Sequence, residues 1–183
     1  NSRGPVDAAA NRGRRCHLAL DLSKRNALTA LSAAWDAEED EQKVEVKTWY
    51  WTRDYGLPTR TTEDRIPYRE LEEAGEITII KARTVDYKFV AAQVQQLCAT
   101  QPGVEQMAVD AAYLADFMDA CDEIQFPVWL WEGPDQEEGE GLKIVRHKQG
   151  CQFAFPKAAK DGEKDTKTGE DKSAKRDGAF LDM

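Results

Sequence analysis

The chain has 183 residues, with 25 Lys and Arg against 34 Asp and Glu, for a net charge of −9. That length suits one core of ordinary size rather than two large domains, and the negative sum excludes nucleic-acid binding driven by overall charge, leaving only a local basic face. No apolar run approaches the roughly 20 residues of a membrane-spanning helix, and the opening NSRGPVDAAANRGRR lacks the apolar centre of a signal peptide, so the chain reads as soluble and intracellular.

Residues 1–15 are polar, small and basic, without periodicity, and read as a linker or interdomain segment. The core is expected to start at Cys16 and the globular domain to run to residue 155. HLALDLS and ALTALSAAW are separated by the polar break KRN, and VEVKTWYW follows the acidic AEEDEQK. These are three strands with short polar connections, an antiparallel meander. In RDYGLPTRTTEDRIPYRELEEAG, Pro58 and Pro67 punctuate a loop before a short helix from about Tyr68, which Gly75 stops. EITIIKAR reads as a short strand. In VDYKFVAAQVQQLCAT the positions Val90, Val94, Leu97 and Cys98 share one helical face, with Phe89 beside it.

After the Gln101-Pro102-Gly103 break, VEQMAVDAAY reads as a strand ending at Asp110, LADFMDACDEI as a helix and FPVWLWE as a further strand. Strand, helix, strand is a parallel crossover unit, and a meander feeding such a unit makes an α/β mixed sheet with helices on its faces. GPDQEEGEG is an acidic loop. Residues 156–183 mix both charge signs with almost no apolar side chains over most of their length and read as a disordered loop or tail. Cys16, Cys98, Cys121 and Cys151 form no C-x-x-C pair, and with only His17 and His147 in the chain they read as free thiols rather than a zinc site. The tryptophans read as packing residues by default.

Asp21 and Asp110 are the chemistry-bearing candidates. Asp21 sits in an otherwise apolar stretch, where an unpaired buried charge is costly. Asp110 ends the apolar run MAV of a later strand. If the two strands are neighbours, the carboxylates meet at one sheet edge, and a divalent cation is the usual reason to tolerate that repulsion. Hard oxygen ligands of this kind suit Mg2+ or Mn2+ and phosphodiester chemistry. On spacing alone the commoner role is capping: Asp110-Ala111-Ala112-Tyr113 is able to start a helix, and Asp21 to bond the backbone of Lys24.

The segments LALDLSKRNALTALSAAW, EDRIPYRELEEAGEI, VDYKFVAAQVQQL, MAVDAAY and IVRHKQG, in this order and spacing, resemble the C-terminal nuclease domain of phage terminase large subunits, the DNA-packaging motor proteins. The resemblance runs from about Cys16 to Gly150, and its D-R-x-P-Y and V-D-Y blocks are its most specific parts. It implies an RNase H-like fold, with three antiparallel strands followed by parallel ones. It also implies an endonuclease that cuts concatemeric DNA with two metal ions, Mg2+ or Mn2+, and puts metal-binding, catalytic roles on Asp21 and Asp110. Double-stranded DNA, a terminase small subunit and a portal protein are the implied partners, in the cytoplasm of a host cell.

The family's third acidic ligand belongs to a late block that Lys175-Arg176-Asp177-Gly178-Ala179 resembles only superficially, while Phe180-Leu181-Asp182-Met183 resembles the start of an earlier block. On that alignment the third ligand lies past Met183, and the chain is a fragment that also lacks the ATPase portion and is expected to be inactive as a nuclease unless Asp177 completes its site. No G-x-x-x-x-G-K-S/T phosphate loop is present in the sequence. Lys81, Arg83, Arg146, His147 and Lys148 are candidates for phosphate contacts, each singly better read as solvated surface, and Arg65 and Tyr68 are expected to position a loop. Two other readings stand beside the nuclease: a transposase- or integrase-like relative, and a non-catalytic interaction module whose aspartates cap turns.

Overall fold

A computed structural model describes residues 6–23, 27–36 and 44–147; the side chain of His147 lies outside that description, as do Lys148, Cys151 and the whole charged segment from 156 to 183 with Asp177. The elements follow the chain as β1 (Cys16–Asp21), β2 (Thr29–Trp35), β3 (Glu45–Arg53), α1 (Leu57–Asp64), α2 (Tyr68–Glu73), β4 (Thr78–Ile80), α3 (Tyr87–Thr100), β5 (Val104–Asp110), α4 (Leu114–Glu123), β6 (Val128–Trp131) and β7 (Leu142–His147). The strands form a seven-stranded sheet in the order β4-β3-β2-β1-β5-β7-β6. Strands β1, β2 and β3 make the expected antiparallel meander, and every other pairing in the sheet is parallel. Among the described strands only β2 therefore runs against the rest, so the C-terminal ends of β1, β3, β4, β5, β6 and β7 share one edge.

Period-two alternation decides the faces. Cys16, Leu18 and Leu20 of β1, Leu31, Ala33 and Trp35 of β2, and Met107 and Val109 of β5 are buried on one face. There they meet Val90, Ala91 and Val94 of α3 and Phe117, Ala120 and Cys121 of α4 in one core. Trp51 joins this face and meets Phe89 of α3 edge-on at 6.2 Å. Thr52, next along β3, points the other way and accepts a 2.9 Å hydrogen bond from the Arg60 guanidinium of α1. Leu57, Tyr68, Ile77 and Ile79 form a second, smaller core there. Helices thus pack on both faces.

Two features depart from the sequence reading. Residues 57–64, expected as loop because of Pro58, are a helix: Pro58 falls in its first turn, where its missing N–H has no intrahelical partner to lose, and Gly56 enters it at φ 70°. The β5–α4–β6 crossover does place two parallel strands, but β7, which shares residues 144–147 with the IVRHKQG segment, inserts between them and takes β6 to the sheet edge. The turn into β7 needs Gly141, at φ 86° and pressed on the Pro127 backbone. Packing also reaches back before Cys16, where Val6 and Ala8 touch the main core and Gln101 donates to the Ala8 carbonyl at 2.7 Å. Cys16 and Cys121 are buried free thiols and Cys98 is half-buried, as expected.

Candidate functional site

The parallel register of β1 and β5 pairs Leu18 with Met107, Ala19 with Ala108 and Leu20 with Val109. One residue further on, at the C-terminal tips of these adjacent strands, stand Asp21 and Asp110. Alternation gives both the same face, opposite to the one that carries Leu20 and Val109. Asp21 is consequently solvent-exposed rather than buried. The expectation of a charge inside an apolar stretch is corrected by parity: Leu18, Leu20 and Leu22 take the core, and the odd positions His17, Ala19 and Asp21 do not.

Exposure of the residue does not leave its carboxylate fully hydrated. Surrounding protein displaces part of its water, and Asp110 adds a like charge; the two effects, in that order, push the Asp21 carboxyl above its ordinary value of 3.8. The loop that follows is held by other residues. The Ser23 N–H donates to the Thr29 hydroxyl at 3.1 Å, the Thr29 hydroxyl returns a bond to the Ser23 carbonyl at 3.0 Å, and the Ala27 N–H donates to the Ser23 hydroxyl at 3.2 Å. The turn after β1 thus has a Ser–Thr clasp, and Lys24, the backbone partner considered for Asp21, lies outside the described residues.

Asp110 does turn the chain, its Oδ1 accepting from the Ala112 N–H at 3.2 Å. It does not cap α4, whose N-cap is Tyr113 at φ 62° with no side-chain cap bond. One carboxylate oxygen is thereby used on the backbone, and the other side of Asp110 faces β7, where the register sets it opposite His147. Among the described residues no group of three or more His, Cys, Asp or Glu side chains converges as a metal site. The pair is therefore a two-carboxylate arrangement of hard, anionic donors whose mutual repulsion a divalent cation would offset.

The basic candidates divide by edge position. Lys81 and Arg83 are exposed in the loop after β4, and Arg146 is exposed near the end of β7. Tyr68 is buried: its hydroxyl donates to Asp64 at 2.8 Å and accepts from Arg60 at 3.3 Å, and burial before any other influence raises its pKa. These two bonds tie the start of α2 to α1. The sequence reading did not single out Arg60, which is 7% exposed and bonds to Thr52, the Arg53 carbonyl and Tyr68 at the β3–α1 corner, nor the Arg53–Tyr55 pair beside it. The only signal for Arg60 was its place three residues into a helix that Pro58 had concealed.

A mixed sheet built from a three-stranded meander and parallel crossovers, with acidic residues at the tips of its first strand and the parallel strand beside it, defines an RNase H-like domain. No family model matches the sequence. The chain is 32% identical over 133 residues to the terminase large subunit of Enterobacteria phage HK97, a match that covers 73% of this chain and 25% of that protein. The crystal structure of the HK97 bacteriophage large terminase superposes with a TM-score of 0.61 at 29% identity, over 80% of this chain and 26% of that one. The chain is a homologue of phage terminase large subunits and carries the nuclease-like fold found in the matching part of that structure. It spans about a quarter of the length of these relatives.

Proposed function

We propose that this domain is a metal-dependent DNA endonuclease serving phage DNA packaging, cutting concatemeric DNA by two-metal phosphodiester hydrolysis. The observation that carries the reading is the adjacency of Asp21 and Asp110 at the tips of two hydrogen-bonded parallel strands, close enough for one carboxylate to raise the pKa of the other. Two like charges held by sheet register rather than by chance of loop conformation fit a site whose resting state includes a cation.

Asp21 and Asp110 would hold Mg2+ or Mn2+, which supplies a lowered pKa for the attacking water and stabilisation of the leaving 3′ oxygen. The chain's own contribution is rigidity. Asp110 is oriented by the Ala112 N–H, and Asp21 by a strand paired on both sides. DNA is the substrate, and a terminase small subunit and portal protein are the partners that this reading carries with it.

Calorimetric titration with Mn2+ and a plasmid-nicking assay test it together. Wild-type protein should bind Mn2+, and whatever nicking it carries out should require that ion, while Asp21→Asn and Asp110→Asn should each weaken binding at least tenfold and abolish any nicking. Unchanged Mn2+ affinity in both variants would overturn the reading.

A further inference from the structure

Strand β3 is only partly covered on its outer side. Trp51, Thr52 and Arg53 pair with β4, whereas no described strand lies beside Glu45–Trp49 on the side away from β2. The Asp54 N–H donates to the Ile80 carbonyl at 2.9 Å, which sets the parity of the backbone: even positions turn their N–H and C=O groups outward, and odd positions turn theirs to β2. Val46 and Thr48 therefore present main-chain donors and acceptors that no described strand uses. Val46 is 51% exposed, so this stretch is an open edge.

Beside that edge, on the face that α3 covers, runs a groove of about 520 Å³ between β3 and α3. Leu31, Trp49, Trp51 and Leu97 give it an apolar lining, and Arg12 and Gln101 add polar groups. Gln101 is 3% exposed; its Nε2 donates to the Ala8 carbonyl at 2.7 Å, while its Oε1 has no partner among the described residues. A buried acceptor left open in the wall of a groove is a place for a donor of the occupant. By alternation Lys47 shares the face of Trp49, and its Nζ lies 5.4 Å from that ring's centroid. Among the described residues neither Lys47 nor Arg12 forms an ion pair.

We propose that this edge takes an extended segment of a partner protein as an added strand beside β3. A bulky apolar side chain of the segment enters the groove over Trp49, and an acidic one two residues away faces Lys47. The unused main-chain groups of Val46 and Thr48 select an extended backbone. The groove selects the apolar anchor, and Lys47 and Arg12 select the negative charge. Intervening β-branched residues would stand beside Val46 and Thr48 on the opposite face. A second copy of this chain fits less well, because antiparallel pairing centred on Glu45–Trp49 sets Lys47 against Lys47. Neither Asp21 nor Asp110 takes part, so the surface is independent of the nuclease reading.

Fluorescence anisotropy in EDTA with a labelled peptide of repeated Thr-Glu-Thr-Leu units tests the added strand. The wild type should bind it saturably. Val46→Pro removes one outward N–H at an exposed edge position, where proline is tolerated, and Lys47→Glu reverses the charge that faces the glutamate; each should weaken binding roughly fivefold. Two altered peptides make the same test without changing the protein. N-methylation of the peptide amides should cost at least about tenfold, and lysine in place of glutamate about fivefold. Absence of binding to the wild type, or equal affinity for the parent and N-methylated peptides, would overturn the added strand. Equal affinity for the glutamate and lysine peptides would overturn the acidic partner. If sedimentation shows that the wild type self-associates, Val46→Pro abolishes this and the peptide does not compete, the edge joins two copies of the chain and the partner segment is overturned.

Discussion

At the residue scale the deciding fact is parity. Asp21 follows Leu20 by one position, so a strand that buries its leucines must turn its aspartate to the opposite face, beside Asp110. Lost hydration and the neighbouring charge then raise its pKa, which has a consequence for stability with a definite sign. A carboxyl whose pKa is higher folded than unfolded binds its proton more tightly in the folded state. Its contribution is greatest when it is protonated and declines as pH climbs from the ordinary value of 3.8 through the raised folded value. Above that window the ionised pair is a standing cost. Without divalent cations at neutral pH, Asp21→Asn should therefore melt at or slightly above the wild type, by on the order of 1 °C for so exposed a group. Scanning calorimetry in EDTA decides it. A clear loss of stability at pH 7 would mean that Asp21 works as a cap, not as half of a repelling pair.

At the element scale, what was legible from sequence follows from which patterns carry a strong period. The meander, α3 and the end of β5 were readable because CHLALD, TALSAAW and the Val90–Val94 spacing alternate or repeat cleanly. The same alternation already placed Asp21 opposite the leucines, yet the apolar run as a whole suggested burial. Helix α1 was hidden because Pro58 is a breaker in mid-helix and a favoured residue in the first turn, and only tertiary contacts such as Arg60 to Thr52 separate the two. The insertion of β7 between β5 and β6 was invisible for a different reason. Local sequence specifies a strand but not its neighbours, and a four-residue VWLW carries no mark of an edge.

That insertion hangs on one turn, which makes a paired substitution informative. Gly141 sits at φ 86°, and a Cβ there would overlap the carbonyl of Pro127, the same oxygen that accepts the Leu142 N–H at 2.9 Å to begin β7. Gly75, at φ 76°, has open space around the equivalent position. Gly75→Ala should cost about 1 kcal/mol, from backbone conformation alone. Gly141→Ala should cost about 3 kcal/mol or more, adding a steric clash to the strain. Urea melts of the two variants measure the difference. Equal costs would show that the β6–β7 seam does not depend on this close approach.

For the whole molecule, the β1–β5 ladder is the seam of the fold. On one side lies the meander, completed by β4, and on the other lie the parallel strands β5, β7 and β6. Leu18 and Leu20 on one side of this line and Met107 and Val109 on the other belong to the same core, and Asp21 and Asp110 lie at its tip. A cation shared by these two carboxylates would link the two halves, so that its binding energy appears as global stability rather than as local order. A ligand present at a hundred times its dissociation constant stabilises by about 2.7 kcal/mol. In a domain of this size that is about 5–10 °C in Tm. Saturating Mn2+ should raise the wild-type melting temperature by that amount and slow amide exchange in β1 and β5 together. Asp110→Asn should abolish both effects. Protection confined to the loop after β5, with an unchanged melt, would mean that any bound metal touches one strand only and the seam is held by its apolar contacts alone.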